Sequence, residues 1–208
     1  LDECVTEWGL KRKQVRFTVP DAFVVTRKIS IPSTVMDDEI IGHLYLELGS
    51  TIHLPFDDPV FDVHVLNRSE KTDVILFASP EEIVSQYARI LEDNSMRPIA
   101  ADVSPLCLYR LYHQIGQRNE EENLLLVHFD VSTITLSIFV KHVPVFVRTV
   151  SFTNETKMWD VSNANSILAW AGDIVQFNLF LEDFLKEIDR IMNFFRYSLN
   201  QGGAEINN

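Results

Sequence analysis

The side chains able to do chemistry are few in this chain, and most lie too far apart in sequence to work together. Of its six histidines, His43 and His53 are ten residues apart, and neither an HExxH nor a His-x-His pair beside a cysteine supplies zinc-ligand spacing. The two cysteines, Cys4 and Cys107, form no CxxC, so neither a disulfide framework nor a zinc knuckle is indicated and both read as buried thiols. The nucleophile elbow GxSxG is absent, as are the phosphate loops GxxxxGK[ST] and GxGxxG. No catalytic residue and no metal ligand is therefore assigned. Asp62 and His64 fall on one face of a strand, where a solvated polar face is the simpler reading. One place does gather polar groups at the end of an apolar run. This is the corner Asp130-Val131-Ser132, with His128 before it and Thr133 after it.

The elements that must position this corner are legible. Leu124 to Phe152 reads as three successive strands, an apolar run followed by two runs rich in β-branched and aromatic residues. His142-Val143-Pro144 is the expected turn between the last two, since proline belongs at a strand's start. Thr153 to Asn165 is polar and poorly patterned, a loop or short helical turn. From Ile167 the spacing becomes helical. Ile174, Phe177, Leu181, Phe184, Ile188, Ile191, Phe195 and Leu199 form a stripe on one helix or two. Gly202-Gly203 caps it.

The first half of the chain alternates strands and helices. Leu1 to Trp8 reads as helix stopped by Gly9. Gln14 to Val19 and Phe23 to Ile31 read as strands bounded by prolines, and Ser33 or Thr34 is expected to cap a helix with Asp37, Asp38 and Glu39 in its first turn. Ile40, Ile41, Leu44, Leu48 and Ile52 give that helix its apolar side. Phe61, Val63 and Val65 alternate with Asp62, His64 and Leu66 before the tip Arg68-Ser69-Glu70-Lys71 and a return through Val74 to Phe77, a β-hairpin. Ser79-Pro80-Glu81-Glu82 has the form of a capping box opening a helix with Ile83, Tyr87, Ile90 and Leu91 inward. Met96 to Val103 is a strand, Ser104-Pro105 is expected to cap a helix to Gly116, and charged Arg118 to Asn123 reads as a linker. The fold class is α/β with an inserted α+β module.

With 208 residues, 46% of them hydrophobic, the chain can bury a real core. No run approaches the roughly 18 to 20 apolar residues of a membrane helix, and LDECVTEWGLKRK lacks a signal peptide's apolar centre, so a cytoplasmic location is expected. A net charge of −12 argues against a general nucleic-acid or anionic-membrane surface, because phosphate contacts need clustered Lys and Arg. Both ends read as truncated.

Four segments carry a family likeness: DDEIIGHLYLELGSTIHLPFDDPVFDVHVL, TDVILFASPEEIVSQYARILEDNSMRPIAADVSPLCLYRL, VSTITLSIFVKHVPVFVRTVSF and FLKEIDRIMNFFRYSLNQGGAEIN. Together they resemble the PilM family of type IV pilus assembly proteins, actin-like relatives of the cell-division protein FtsA. The most specific part is the helix followed by Leu54-Pro55-Phe56-Asp57-Asp58. The resemblance implies an actin-like, RNase H-like ATPase fold. Residues 1–22 and 80–118 would belong to lobe 1A, 23–79 to an SHS2-type subdomain 1C (strand-helix-strand-strand), and 119–208 to part of lobe 2.

It also implies a scaffold at the inner face of the cytoplasmic membrane, reaching that membrane only through a partner. The partner would be a PilN-like single-span protein whose N-terminal tail lies in a groove between 1A and 1C, within an assembly of other pilus proteins serving pilus formation or competence. Phe17, Phe23, Val25, Ile40, Leu44 and Tyr45 lie on the strands and helix that would border such a groove, although burial in the core is the simpler reading for each of them. An extended peptide there would pair its backbone with the protein's.

Many family members bind ATP and carry two Asp-Ile-Gly phosphate motifs. The first is absent here. In an ungapped comparison the second falls on His128 to Val131, with His128 in place of the aspartate and Asp130 in place of the glycine, followed by Ser132 and Thr133. A carboxylate repels phosphate, and a Cβ blocks the close backbone approach that glycine permits. Shortening the loop by two residues would keep Asp130 as the family aspartate but still lack the glycine. The expectation is a non-catalytic, degenerate nucleotide site without cofactor. The alternative is an ATP- and magnesium-binding ATPase whose N-terminal phosphate loop precedes this sequence. An FtsA-like adaptor with a C-terminal amphipathic helix is a third, weaker one.

Overall fold

A short helix, α1 (Asp2–Glu7), ends at Gly9, whose φ of 65° is left-handed and costs nothing without a Cβ. The strand that follows, β1 (Gln14–Val19), has the bounds that its alternation predicts. The computed structural model describes residues 1–116, 123–130, 133–151, 159–162 and 167–199. The chain divides into two compact units, Leu1–Arg118 and Asn119–Asn208.

In the first unit, β2 (Val25–Pro32) leads to a helical turn at Asp37–Glu39 and then α2 (Ile40–Glu47). Neither Ser33 nor Thr34 caps this helix. Glu39 instead folds back to accept the Met36 N–H at 3.3 Å, so the three acids form a separate entry turn. The hairpin β3 (Pro59–Arg68) and β4 (Lys71–Pro80) completes an antiparallel sheet in the order β2-β4-β3. Ile31, Ile40, Leu44, Val74 and Leu76 are buried together, with Phe61, Val63 and Val65 packed on them. Each such aliphatic side chain contributes roughly 1.5–3 kcal/mol.

The helix α3 (Glu81–Asp93) follows, but Ser79 does not cap it. Ser79 is still within the ladder, opposite Val60, and the extended Pro80 holds the N-cap position. Ile90 is 50% exposed, against the inward placement its spacing predicts. Strand β5 (Arg97–Val103) and helix α4 (Ser104–Gln114) end the unit; Ser104 does not cap the helix but is its first residue, with Val103 at the N-cap and Pro105 in the first turn. β5 pairs with β1 in parallel, from Gln14↔Arg97 to Val19↔Val103. A parallel pair requires a crossover, and here the crossover contains the whole β2-α2-β3-β4 module and α3.

The second unit contains the antiparallel sheet β6 (Asn123–Phe129), β7 (Thr133–Val140) and β8 (Val143–Ser151). The hairpin turn is Lys141-His142, with φ of 47° and 68°. Pro144 lies one residue into β8, opposite Phe139 and beside a register shift on an outer strand, where its missing N–H is tolerated. The segment expected to be loop contains β9 (Trp159–Ser162), which pairs with β10 (Ile167–Trp170) where helix was expected. One helix, α5 (Ile174–Phe194), carries the apolar stripe, and a π-helical turn at Phe195–Leu199 extends it. Asp173 caps it by accepting the Gln176 N–H at 2.8 Å. Ile134, Leu136 and Ile138 of β7 pack with Phe180, Ile191 and Phe195. Most of the Arg118 to Asn123 linker and all of Gly202-Gly203 lie outside the described residues.

Candidate functional site

Alternation along β3 and β4 gives the module's sheet two distinct faces. Phe61, Val63 and Val65 turn to the core with α2, which leaves the paired residues Val60↔Ser79 and Asp62↔Phe77 on the other face. A cavity of about 250 Å³ lies against that second face. Val60, Asp62, Phe77 and Ser79 line one side, and Val19 of β1 with Ala101 of β5 line the other. Val24 and Val84 contribute further apolar surface. The cleft thus runs between the parallel β1/β5 pair and the inserted module, within one unit.

Its polar groups are few and specific. Ser79 is 5% exposed, and its hydroxyl has no hydrogen-bond partner among the described residues. A buried hydroxyl without a partner costs about 1–3 kcal/mol, so a ligand able to reach it gains selectivity. Asp62 accepts the Val63 N–H at 2.8 Å. Asp102 accepts the Val103 N–H at 2.9 Å and pairs with Arg110 from the following helix. Arg110 also contacts the Cys107 sulfur at 3.3 Å. Burial, followed by the Asp102 carboxylate, raises the Cys107 thiol above its ordinary pKa, although Arg110 opposes this.

None of the six expected groove residues lines this cavity. Phe17 stacks on Tyr87 of α3, with ring centres 6.3 Å apart and planes within 9°. Phe23 is 43% exposed in the turn before β2. Val25 is half-buried and pairs with Ala78. Ile40 and Leu44 belong to the module core, while Tyr45, 62% exposed, rests against Phe61 at 5.8 Å. The reason is which face α2 covers: it packs on the core side of the sheet, and the cavity lies on the other. Reading the hairpin's polar positions Asp62 and Ser79 as lining, and not as solvated face or cap, is the signal that could have located it.

In the second unit, His128 is half-buried near the end of β6 and pairs across the ladder with Thr135, whose hydroxyl meets that of Thr149 at 3.0 Å. Asp130 is exposed. Its backbone N–H donates to the Thr133 carbonyl at 2.9 Å, which closes the corner. Thr133 begins β7; Ser132 lies outside the described residues. Among the described residues no three His, Cys, Asp or Glu side chains converge on a point able to hold a metal ion. No described helix is long and apolar enough to cross a membrane.

Comparison with known proteins gives a family match. The profile of the family described as "Type IV pilus assembly protein PilM" matches residues 1–161. No curated protein matches the sequence. Among solved structures, a chain of a "PilM-PilN type IV pilus biogenesis complex" is 18% identical, with a TM-score of 0.72 over 95% of this chain and 63% of that one. That likeness shows the fold, which the sequence resemblance identifies as actin-like. This chain spans about 63% of that chain's length. A second structure, a Bacteroides thetaiotaomicron protein with actin-like ATPase fold and unknown function, is 13% identical over 69% of this chain and 49% of that one. Its TM-score of 0.33 is too low to argue from.

Proposed function

The chain belongs to the type IV pilus assembly protein PilM family, and from that premise we propose that it is a non-catalytic scaffold of pilus or competence machinery. It holds the N-terminal tail of a PilN-like bitopic membrane protein at the cytoplasmic face of the inner membrane. The module at residues 23–79 acts as a 1C subdomain and the β1/β5 pair as part of 1A. The single observation supporting this reading is the cleft between them, about 250 Å³, walled by Val60, Phe77 and Val19, with the unpartnered Ser79 hydroxyl on its wall. Such a cleft suits an extended segment that inserts an apolar side chain and offers one backbone or side-chain polar group to Ser79.

The nucleotide site is degenerate in the same reading. At the β6–β7 corner the Asp130 amide, which a phosphate would need, already serves the Thr133 carbonyl, and a carboxylate extends from the same residue. Neither feature favours a polyphosphate, and no step of chemistry is assigned to ATP or magnesium.

The test is calorimetric titration of the protein with a synthetic peptide of the partner's N-terminal tail. Saturable binding is expected, and Ala101→Trp, which fills the cleft, should weaken it at least about tenfold, or about 1.4 kcal/mol. A wild-type protein that shows no saturable heat, or a variant that binds equally well, would refute the groove. Titration with ATP and magnesium should give no saturable signal, and micromolar affinity would remove the degenerate-site reading.

A further inference from the structure

We propose that the outer edge of β2 is a second docking site, which takes an extended acidic segment of a partner protein as a fourth strand of the module's sheet. β2 is the outer strand in the order β2-β4-β3 and, among the described residues, pairs only with β4, along its whole length from Val25↔Ala78 to Pro32↔Lys71. Its other edge therefore carries a row of backbone groups that the sheet does not use. Beside this edge is a groove of about 490 Å³. Every residue from Arg27 to Pro32 lines it, and His43 and Glu47 of α2 with His53 beyond the helix form the opposite wall. A free strand edge flanked by a helix is the arrangement in which an added strand gains affinity from backbone pairing and specificity from pockets for alternate side chains.

Charge identifies the occupant. The chain is strongly acidic, at −12, yet this groove is lined by two cationic side chains, Arg27 and Lys28, against one carboxylate, Glu47. Glu47 is engaged by the Thr51 hydroxyl. Arg27 is exposed and makes no ion pair among the described residues; its guanidinium only touches the Thr26 carbonyl at 3.5 Å. Lys28 reaches Asp73 at 2.9 Å while remaining 59% exposed. Basic side chains on a free edge repel basic or neutral strands and attract an acidic one, so the same two residues that guard the edge select what joins it. The site shares no lining residue with the β1/β5 cleft, so a partner here leaves that cleft open.

The experiment follows backbone amide resonances of the full chain while adding an end-blocked peptide of alternating Glu and Val. Saturable shifts concentrated at Val25–Pro32 are expected. They should weaken with added salt, and the pair Arg27→Glu and Lys28→Glu should lower affinity at least about tenfold. A peptide N-methylated at alternate residues tests the backbone pairing without altering the protein, and should bind as weakly. The proposal is overturned by any of four results: no shifts at millimolar peptide, shifts centred on Val60 and Ala101 instead, equal binding of the Lys-Val counterpart, or full affinity after N-methylation. A concentration-dependent dimer of the chain that the two charge reversals abolish would give the edge to a second copy and overturn it also.

Discussion

At the scale of single residues, two groups have their acidity set by neighbours. Asp73 is held below its ordinary pKa of 3.8, first by the Ser30 hydroxyl, which donates to it at 2.6 Å, and then by Lys28. A carboxyl depressed in the folded state takes its proton earlier in the unfolded chain. The stability it contributes is therefore present above about pH 4 and is lost as pH falls through the lower folded value. Urea midpoints measured from pH 7 downward should show a shallower acid decline in Asp73→Asn than in the wild type, with Ser30→Ala between them; identical slopes would remove Asp73 as a contributor. Cys107 is moved the other way by burial and by Asp102. Less thiolate at neutral pH means slower alkylation, so iodoacetamide at pH 7.5 should label Cys107 more slowly than an unstructured cysteine peptide. Asp102→Asn should speed the reaction, and a wild-type rate equal to the peptide's would contradict this account.

At the scale of elements, the β6–β8 sheet contains a turn whose sequence does not suit its geometry. Both central residues, Lys141 and His142, have positive φ. That is the two-residue hairpin turn that prefers Asn-Gly, and each non-glycine residue held there costs roughly 1–2 kcal/mol. Replacing the pair by Asn-Gly should raise stability by about 1 kcal/mol, read as a higher denaturation midpoint at unchanged cooperativity; a lower midpoint would show that the side chains' own contacts outweigh the strain. The same turn marks where sequence reading succeeds and fails. The strands on both sides were legible because alternating or continuous apolar runs report burial directly. The sequence reading sets the turn one residue late because Pro144 reads as punctuation, when on an outer strand it can sit inside. Likewise Ser79 looks like a cap because its neighbours are Pro-Glu-Glu, but cross-strand pairing with Val60 takes precedence over a local motif. β10 reads as helix in the sequence because Ile167 to Trp170 is a continuous apolar run, which cannot separate strand from buried helix. That run masks the real start of α5, at the Asp173–Gln176 cap.

At the scale of the whole molecule, the organising fact is topological. β1 and β5 are neighbours although the segment between them builds a separate sheet and core, and that arrangement creates a wall on each side of a cleft. The order of elements is readable from α1 to β8, and so are the residues that fill the module's core. Which face of each strand met which neighbour was not, because one strand's alternation names two faces without saying what covers them. This is why alternation alone leaves Ile40 and Leu44 open to either reading, whereas the fold shows both buried in the module core. Every residue lining the cleft comes from Leu1–Arg118, so the proposed tail binding should require nothing from the second unit. A fragment of residues 1–118 should bind the partner's tail peptide with the affinity of the full chain, and ATP with magnesium should change neither value. A loss of more than about tenfold in a fragment whose circular dichroism and cooperative unfolding show it to be folded would place part of the binding surface beyond Arg118. Affinity that moved with nucleotide would return an energetic role to the His128–Thr133 corner, since a ligand can shift binding elsewhere only through a differential free energy of its own.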